Sequence, residues 1–198
     1  MALNESKNLH SKGVISWFST LACLPDKYNI QIDSEIDIYQ TATKLKSNDK
    51  VKWLERLHAS DKLRTYRTFK TTHNMESYLI SIKDIRKRAL ISRMRISAHT
   101  LEIEVGRHKY PKTPADQRFC KKCSTVVEDE KHFIIACPAY SSASQPLISY
   151  ILTMCPNFGS VVDSDKLIWL MTADDPFIIA QLANFIGKAS NIRCTKQI

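Results

Sequence analysis

The chain has 198 residues, of which 43% are apolar and four are glycine, so it can form one domain or two small ones with a substantial core. Its formal net charge is +9. Residues 62–122 contain 16 Lys or Arg against 5 Asp or Glu, a balance of +11, which leaves −2 for the rest. No apolar run is long enough to span a membrane, which excludes an integral helical membrane protein.

Residues 1–8 contain no apolar core of a signal peptide, so we expect an intracellular protein of the nucleus or cytoplasm, with no membrane partner. In that reducing setting a C-x2-C pair indicates a metal site rather than a disulfide. Cys23, Cys155 and Cys194 lie far from that pair in sequence and are interpreted as ordinary core or surface cysteines.

Apolar residues at helical spacing and the scarcity of glycine predict a mainly α fold, with at most a small sheet near residues 99–123. Residues 1–60 are predicted to be an N-terminal helical segment. Helices are expected over 11–22 and 33–45, and the polar residues 47–49 are expected to interrupt the second. A new helix is then expected over 50–58.

Residues 61–115 are predicted to be a basic linker and helix region. Its first part, residues 61–70, is expected to be extended or irregular, with Tyr66 and Phe69 interleaved among cations. Such a mixture can bind a phosphate backbone and stack bases. The alternative is that the two rings simply anchor the segment to the core.

Two helices are predicted next, one capped by Asn74 and one over residues 83–98. The second is the most basic helix of the chain, and it contains two adjoining apolar stripes. One stripe runs from Ile85 to Ile96, and the other contains Met94. Two stripes predict burial, so we expect the arginines of this helix to project into the solvent as a comb.

Residues 99–107 alternate apolar and acidic side chains, which predicts a strand ended by Gly106. A buried continuation of the preceding helix is the alternative. Pro111 and Pro114 then predict a loop.

Residues 116–140 contain four potential metal ligands with the spacing C-x2-C-x8-H-x4-C: Cys120, Cys123, His132 and Cys137. The first pair closes a tight turn, and the eight-residue gap allows a short hairpin that returns the histidine. Three thiolates and one imidazole suit tetrahedral Zn²⁺, and four protein ligands leave no open position, so the site is expected to be structural. The alternative is a chance cluster of buried cysteines with an unrelated histidine. We call residues 116–140 the zinc knuckle, of CCHC type.

Pro138 pushes Cys137 out of the helical region, so residues 131–136 are expected to form about one turn that carries His132. Three thiolates on a divalent ion leave a charge of about −1. Four nearby cations are expected to offset that charge: Arg118, Lys121, Lys122 and Lys131.

Residues 141–198 are predicted to be C-terminal helices, and residues 61–198 to form one unit. Helices are expected over 141–155 and 165–171, and a last helix is expected to begin with Asp175 as N-cap and Pro176 at its first position. Helical spacing places five apolar residues of that last helix on one inward face: Ile178, Leu182, Phe185, Ile186 and Ala189. The Ala-Asp-Asp sequence at 173–175 resembles a polymerase metal site. Since Pro176 follows the pair directly, helix capping explains the aspartates better than catalysis does.

The chain resembles the C-terminal region of reverse transcriptases from LINE-type (non-LTR) retrotransposons. The resemblance runs through KLRTY at 62–66, RMRISAHTLEIEVGR at 93–107 and the zinc knuckle from RFCKKC to HF and CP. It implies that the four knuckle residues bind zinc and that the chain contacts the element's RNA or target DNA. No palm, fingers or endonuclease residues are present, so we expect a non-enzymatic tail fragment, either truncated or reused.

Two functions remain as hypotheses. The first is a nucleic-acid-binding zinc module that binds RNA or DNA with little sequence preference. Its candidate phosphate contacts are seven arginines: Arg64, Arg67, Arg86, Arg88, Arg93, Arg95 and Arg107. The second is a helical scaffold or protein-interaction fragment with a structural zinc. The first requires the arginines on one exposed face, whereas the second requires an exposed apolar groove.

Overall fold

The structure, a computed structural model, describes residues 2–15, 19, 23, 27 and 38–195. Within these residues it is mainly helical, as predicted, and contains no β-strand. The expected hairpin is reduced to one antiparallel bridge between Phe119 and Val127. The chain divides into two compact units, Met1–Ala59 and Ser60–Ile198.

The first described helix, α1, spans Ala2–Ser11. The prediction of a helix over 11–22 is wrong at its start, because a turn follows Ser11. Residues 16–18 and 20–22 of that predicted helix lie outside the described residues. Gly13 has a positive φ of 75°, a conformation that glycine adopts without strain. The Gly13 N–H donates to the His10 carbonyl, and the Val14 N–H donates to the Leu9 carbonyl. These two hydrogen bonds form a Schellman motif that ends α1.

Helix α2 spans Ile38–Ala59 without a break, so the interruption expected at residues 47–49 is wrong. No glycine or proline lies within it, and serine, asparagine and aspartate cost less than about 1 kcal/mol each in a helix interior. Continuing a helix is cheaper than nucleating a new one, so the polar residues are accommodated. The part of the expected helix over 33–37 lies outside the described residues.

In the second unit the helices before residues 116–140 are mostly short, and the two longest helices lie after them. Before the knuckle lie a 3₁₀ turn at Asp61–Leu63, then α3 (Tyr66–Phe69), α4 (Ser77–Ser81), α5 (Ile85–Arg95), α6 (Glu102–Val105) and a 3₁₀ turn at Ala115–Gln117. Next come a π-helix at His132–Ala136 and 3₁₀ turns at Pro138–Tyr140 and Pro156–Ser160, which flank α7 (Ser141–Met154). The chain ends with α8 (Asp163–Met171) and α9 (Pro176–Cys194).

Helix α9 is the centre of this unit, since α4, α5, α7 and α8 all contact it. The Asp175 carboxylate accepts a hydrogen bond from the Ile178 N–H at 2.8 Å, and Pro176 occupies the first turn, which confirms the predicted cap. Asp174 accepts a hydrogen bond from the Ser77 hydroxyl. The predicted inward face of α9 is buried throughout: Ile178, Leu182, Phe185, Ile186 and Ala189.

The segment 61–70 is helical rather than extended, with its 3₁₀ turn followed by α3. Phe69 is buried and Tyr66 is half-buried, which agrees with the anchoring alternative. Asn74 is not a cap, since α4 begins at Ser77 after Glu76 and has no side-chain cap.

The strand expected over 99–107 is also wrong, because α6 occupies Glu102–Val105. Alternation predicts a strand only when the acidic residues face water. Here Glu102 and Glu104 are buried, as Leu101 is, and nearby Lys and Arg side chains balance their charges.

Helix α5 contacts α9 and buries Ile91 and Met94, while Ile85 is 72% exposed and Ile96 is also exposed. The predicted stripe from Ile85 to Ile96 is therefore exposed at both ends and only half-buried between them. The buried face instead includes Arg95, which is 1% exposed. The expectation that all the arginines of this helix form a solvent comb is wrong at Arg95.

Candidate metal centre

The four predicted ligands converge in the second unit. Their ligand atoms all lie within 4.8 Å of one another, so the cluster could hold one metal ion. The Cys120 and Cys137 sulfurs are 3.9 Å apart, and the Cys123 sulfur lies 3.3 Å from His132 Nε2. Tetrahedral zinc would separate two sulfurs by about 3.8 Å and a sulfur from a nitrogen by about 3.6 Å. Two of the six separations between ligand atoms are therefore already close to those around a bound zinc ion.

The first two ligands lie on a tight turn closed by its own backbone. The Cys120 N–H donates to the Val126 carbonyl at 2.9 Å, and the Ser124 N–H donates to the Cys120 carbonyl at 2.9 Å. The Lys122 backbone N–H also donates to the Cys120 sulfur at 3.4 Å. This turn directs both cysteine side chains to one point, as the C-x2-C spacing predicts.

The other two ligands lie at the two ends of the π-helix. Its closing bond runs from the Cys137 N–H to the His132 carbonyl at 2.8 Å, an i→i+5 bond that brings residues five apart to the same side. The Asp129 carboxylate accepts the His132 N–H at 2.7 Å and so fixes the start. Cys137 itself is extended, with ψ 117°, which confirms that it lies just past the predicted turn.

The three thiols differ in their electrostatic surroundings. At Cys123, burial opposes ionisation, but hydrogen bonds from the Thr125 hydroxyl and the Thr125 and Val126 N–H groups outweigh it and lower the pKa to about 6. Burial raises the pKa of Cys120, and burial together with the neighbouring thiolates raises the pKa of Cys137 to about 12. If all three thiols ionise, thiolates packed this closely need a cation among them, and a bound metal ion would supply that charge.

The predicted cationic surround does not contact the sulfurs through its side chains. Arg118 donates to the Thr113 and Ile103 carbonyls, and Lys121 forms an ion pair with Glu102 at 2.7 Å. Lys122 donates to the Thr195 carbonyl at 2.6 Å. These cations fix the surrounding segments instead.

Two glutamates between the ligands, Glu128 and Glu130, are buried, which the sequence did not predict. Glu128 Oε1 lies 3.8 Å from the Cys120 sulfur, and Arg193 holds this carboxylate. The run of acidic residues at 128–130, beside His132 in a basic region, was the available signal. That run does not show which cations pair with these carboxylates.

Glu130 connects three segments of the unit. Its Oε1 accepts hydrogen bonds from Thr65, Ser97 and His99 at 2.9 Å each, and Arg64 lies 2.8 Å from its Oε2. Burial alone would raise the pKa of Glu130, but the His99 hydrogen bond and the Arg64 charge lower it to about 2. The segment that carries His132 is thereby fixed to residues distant in sequence.

The seven candidate arginines have different environments. Arg86 and Arg93 are exposed on α5, Arg67 is half-buried, and Arg88 donates to the Leu79 carbonyl. Arg64 and Arg107 form ion pairs with Glu130 and Glu104. Arg95 cannot contact a ligand in solvent, because it donates to the Met171 carbonyl and pairs with Glu76 at 2.7 Å. The structure therefore leaves Arg86 and Arg93 as the most accessible of the set.

No protein-family model, curated protein or solved structure matches this chain. In the part of the chain that the structure describes, no helix is both long and apolar enough to cross a membrane.

Proposed function

We propose that this chain is a zinc-binding module that binds RNA or DNA, akin to the C-terminal region of LINE-type reverse transcriptases. The observation that carries the proposal is the convergence of three thiols and one imidazole beside a strongly basic segment. The resemblance in residues 93–107 and in the zinc knuckle supports the same family. The module would act in the nucleus or cytoplasm.

Zinc is the metal that this ligand set favours. Thiolate-rich tetrahedral sites select Zn²⁺ or iron–sulfur clusters, and a set of three cysteines and one histidine is typical of structural zinc. Cys120, Cys123, His132 and Cys137 would hold the ion and leave no position for water or substrate. The ion therefore has a structural role in this proposal, and the chain is not proposed to be an enzyme.

Phosphate contacts would come from the exposed cations of residues 62–122. Arg86 and Arg93 are seven residues apart on α5, nearly two full turns, so they lie on the same side of the helix. Neither is part of an ion pair within the described residues. Two adjacent unpaired cations on a basic surface favour a polyanion such as a nucleic acid.

A salt titration tests the proposal. Fluorescent RNA and DNA oligonucleotides should bind at low salt, with an affinity that falls steeply as salt rises. Arg93→Ala should reduce the salt slope by roughly one unit and weaken all sequences about equally. Arg56→Ala, an exposed arginine of the other unit, is the matched control and should change neither quantity. No binding at low salt, or equal effects of both variants, would refute the proposal.

A helical scaffold is the second candidate, and one groove favours it. Met154, Trp169 and Ile178 help to line a groove of about 500 Å³ between α7, α8 and α9. Met154 and Trp169 are exposed, so an apolar partner could cover them. In this alternative the chain would bind no nucleic acid at low salt, and Trp169→Ala would affect only protein partners.

A further inference from the structure

The loop between α6 and the zinc knuckle carries the most exposed aromatic ring of the described chain. Tyr110 is 103% exposed, and it makes no hydrogen bond or ring contact with the residues that the structure describes. His108, Lys109 and Lys112 flank it and are also exposed. A large ring that covers nothing within its own fold is available to stack on a ligand.

The base of this loop is fixed, so the ring is presented from a defined position. The Thr113 N–H donates to the Gly106 carbonyl at 3.1 Å, and Arg118 Nε donates to the Thr113 carbonyl at 2.9 Å. The Arg118 side chain lies directly against Gly106, where an added Cβ would come within 2.7 Å of it. We call residues 106–113 the Tyr110 loop.

The Tyr110 loop and the zinc knuckle meet at one carboxylate. Lys109 lies 2.9 Å from Glu102 Oε2, and Lys121 lies 2.7 Å from Glu102 Oε1. Lys109 directly precedes Tyr110, and Lys121 directly follows Cys120. The shared carboxylate therefore holds the loop beside the candidate metal centre. Phe119, the residue before Cys120, is 48% exposed. Two exposed rings therefore lie on two segments that the Glu102 carboxylate joins, and the exposed Lys112 lies close to one of them in sequence.

We propose that the Tyr110 loop and the exposed edge of the knuckle form a binding site for single-stranded nucleic acid. Tyr110 and Phe119 stack on bases, and Lys112 contacts the phosphates. Sites for single strands combine a basic surface with aromatic rings on which unpaired bases stack, whereas a duplex keeps its bases stacked on each other. This proposal rests on the proposed nucleic-acid-binding function and names the form of nucleic acid.

Three probes of about 12 nucleotides separate stacking from charge: single-stranded oligo-dT, the same backbone with every site abasic, and a duplex. Wild-type protein should bind oligo-dT at least roughly tenfold more tightly than the abasic strand. Tyr110→Ala should remove most of that preference and leave the abasic affinity and salt slope unchanged. Since Tyr110 covers no core surface, the variant should fold normally, which circular dichroism checks.

The matched controls are Tyr110→Phe and Met75→Ala, and a further variant, Lys112→Gln, tests the phosphate contact. Tyr110→Phe keeps a stacking ring and should retain the preference. Met75→Ala removes an exposed apolar side chain from another segment and should have no effect. Lys112→Gln should reduce the salt slope by roughly one unit for both single strands, without changing their ratio.

The outcomes distinguish this proposal from the one on which it rests. Equal affinity of wild-type protein for oligo-dT and the abasic strand would overturn the stacking site while leaving nucleic-acid binding intact. An unchanged preference in Tyr110→Ala, or stronger binding of the duplex, would overturn it as well. Absence of binding to all three probes at low salt would overturn both proposals.

Discussion

Glu128 and Arg193, which are 65 residues apart, form a buried two-pronged ion pair. Arg193 Nε lies 2.7 Å from one carboxylate oxygen, and Nη2 lies 2.7 Å from the other. Glu128 is 0% exposed, and its Oε1 is 3.8 Å from the Cys120 sulfur. The pair therefore ties the end of α9 to the segment between the metal ligands, so that the knuckle and the helical core support each other.

Removing one partner of this pair should destabilise the second unit. Arg193→Met leaves the Glu128 carboxylate buried without its cation, which typically costs roughly 3–5 kcal/mol. Chemical denaturation of zinc-loaded protein measures the loss. The double variant Glu128→Gln/Arg193→Met removes both charges and should recover part of it. If Arg193→Met leaves the free energy of unfolding unchanged, the pair does not stabilise the fold.

Purified protein should contain one zinc ion per chain, measured by elemental analysis. Cys123→Ser should lose most of the metal, because a hydroxyl is a poor substitute for a thiolate ligand. Cys194→Ser is the matched control, since Cys194 is an exposed cysteine outside the cluster, and it should retain the metal. Metal content that responds equally to both substitutions would contradict the assignment of the ligands.

Glu130 should stabilise the fold in a pH-dependent manner. Its pKa is lowered from 4.5 to about 2, so its contribution is fully present above pH 4.5 and is lost as the pH falls towards 2. The difference in unfolding free energy between wild type and Glu130→Gln should approach about 3 kcal/mol near neutral pH and shrink in acid. Acid would release a bound metal ion from both proteins, so the comparison between them largely cancels that effect.

Asp116→Asn provides the control for that comparison, since Asp116 is an exposed carboxylate. It should change the free energy of unfolding by less than about 0.5 kcal/mol. A difference between wild type and Glu130→Gln that grows as the pH falls would have the wrong sign for a depressed pKa.

Arg93 and Arg95 should behave in opposite ways although they are two residues apart. Arg95 is buried among the rings of Tyr66, Phe69 and Tyr78, with its guanidinium carbon 5.4–5.8 Å from their centroids. Arg95→Ala should destabilise the unit by roughly 3–5 kcal/mol, because it breaks the pair with Glu76. Arg93→Ala should change stability by less than about 0.5 kcal/mol. Thermal or chemical denaturation of both variants tests this, and similar losses would contradict it.

Local patterns predicted correctly those features that depend on a few neighbouring residues. The ligand spacing predicted that the four Cys and His side chains converge, since a C-x2-C turn and one helical turn before Pro138 are set by short-range backbone geometry. The Asp175–Pro176 cap and the buried face of α9 followed from helical spacing for the same reason. The mainly helical fold also follows from the periodicity of the individual segments.

Predictions failed where a side chain's environment depends on partners far away in the chain. The alternation in residues 99–107 predicts a strand only if its glutamates face water. In the structure, cations from other segments pair with these glutamates and allow them to be buried in α6. A charged residue such as Arg95 is likewise expected to face solvent when its partners are unknown. In the structure, Glu76 and three aromatic rings enclose it.

The sequence by itself determined the helical class, the four candidate metal ligands and the excess of positive charge. Only the tertiary structure decided which charges are neutralised inside the fold and which remain accessible, because burying a charge is favourable only with a partner at hydrogen-bonding distance. Arg95, which has such a partner, is buried, whereas Arg93 and the Tyr110 loop remain accessible to a ligand.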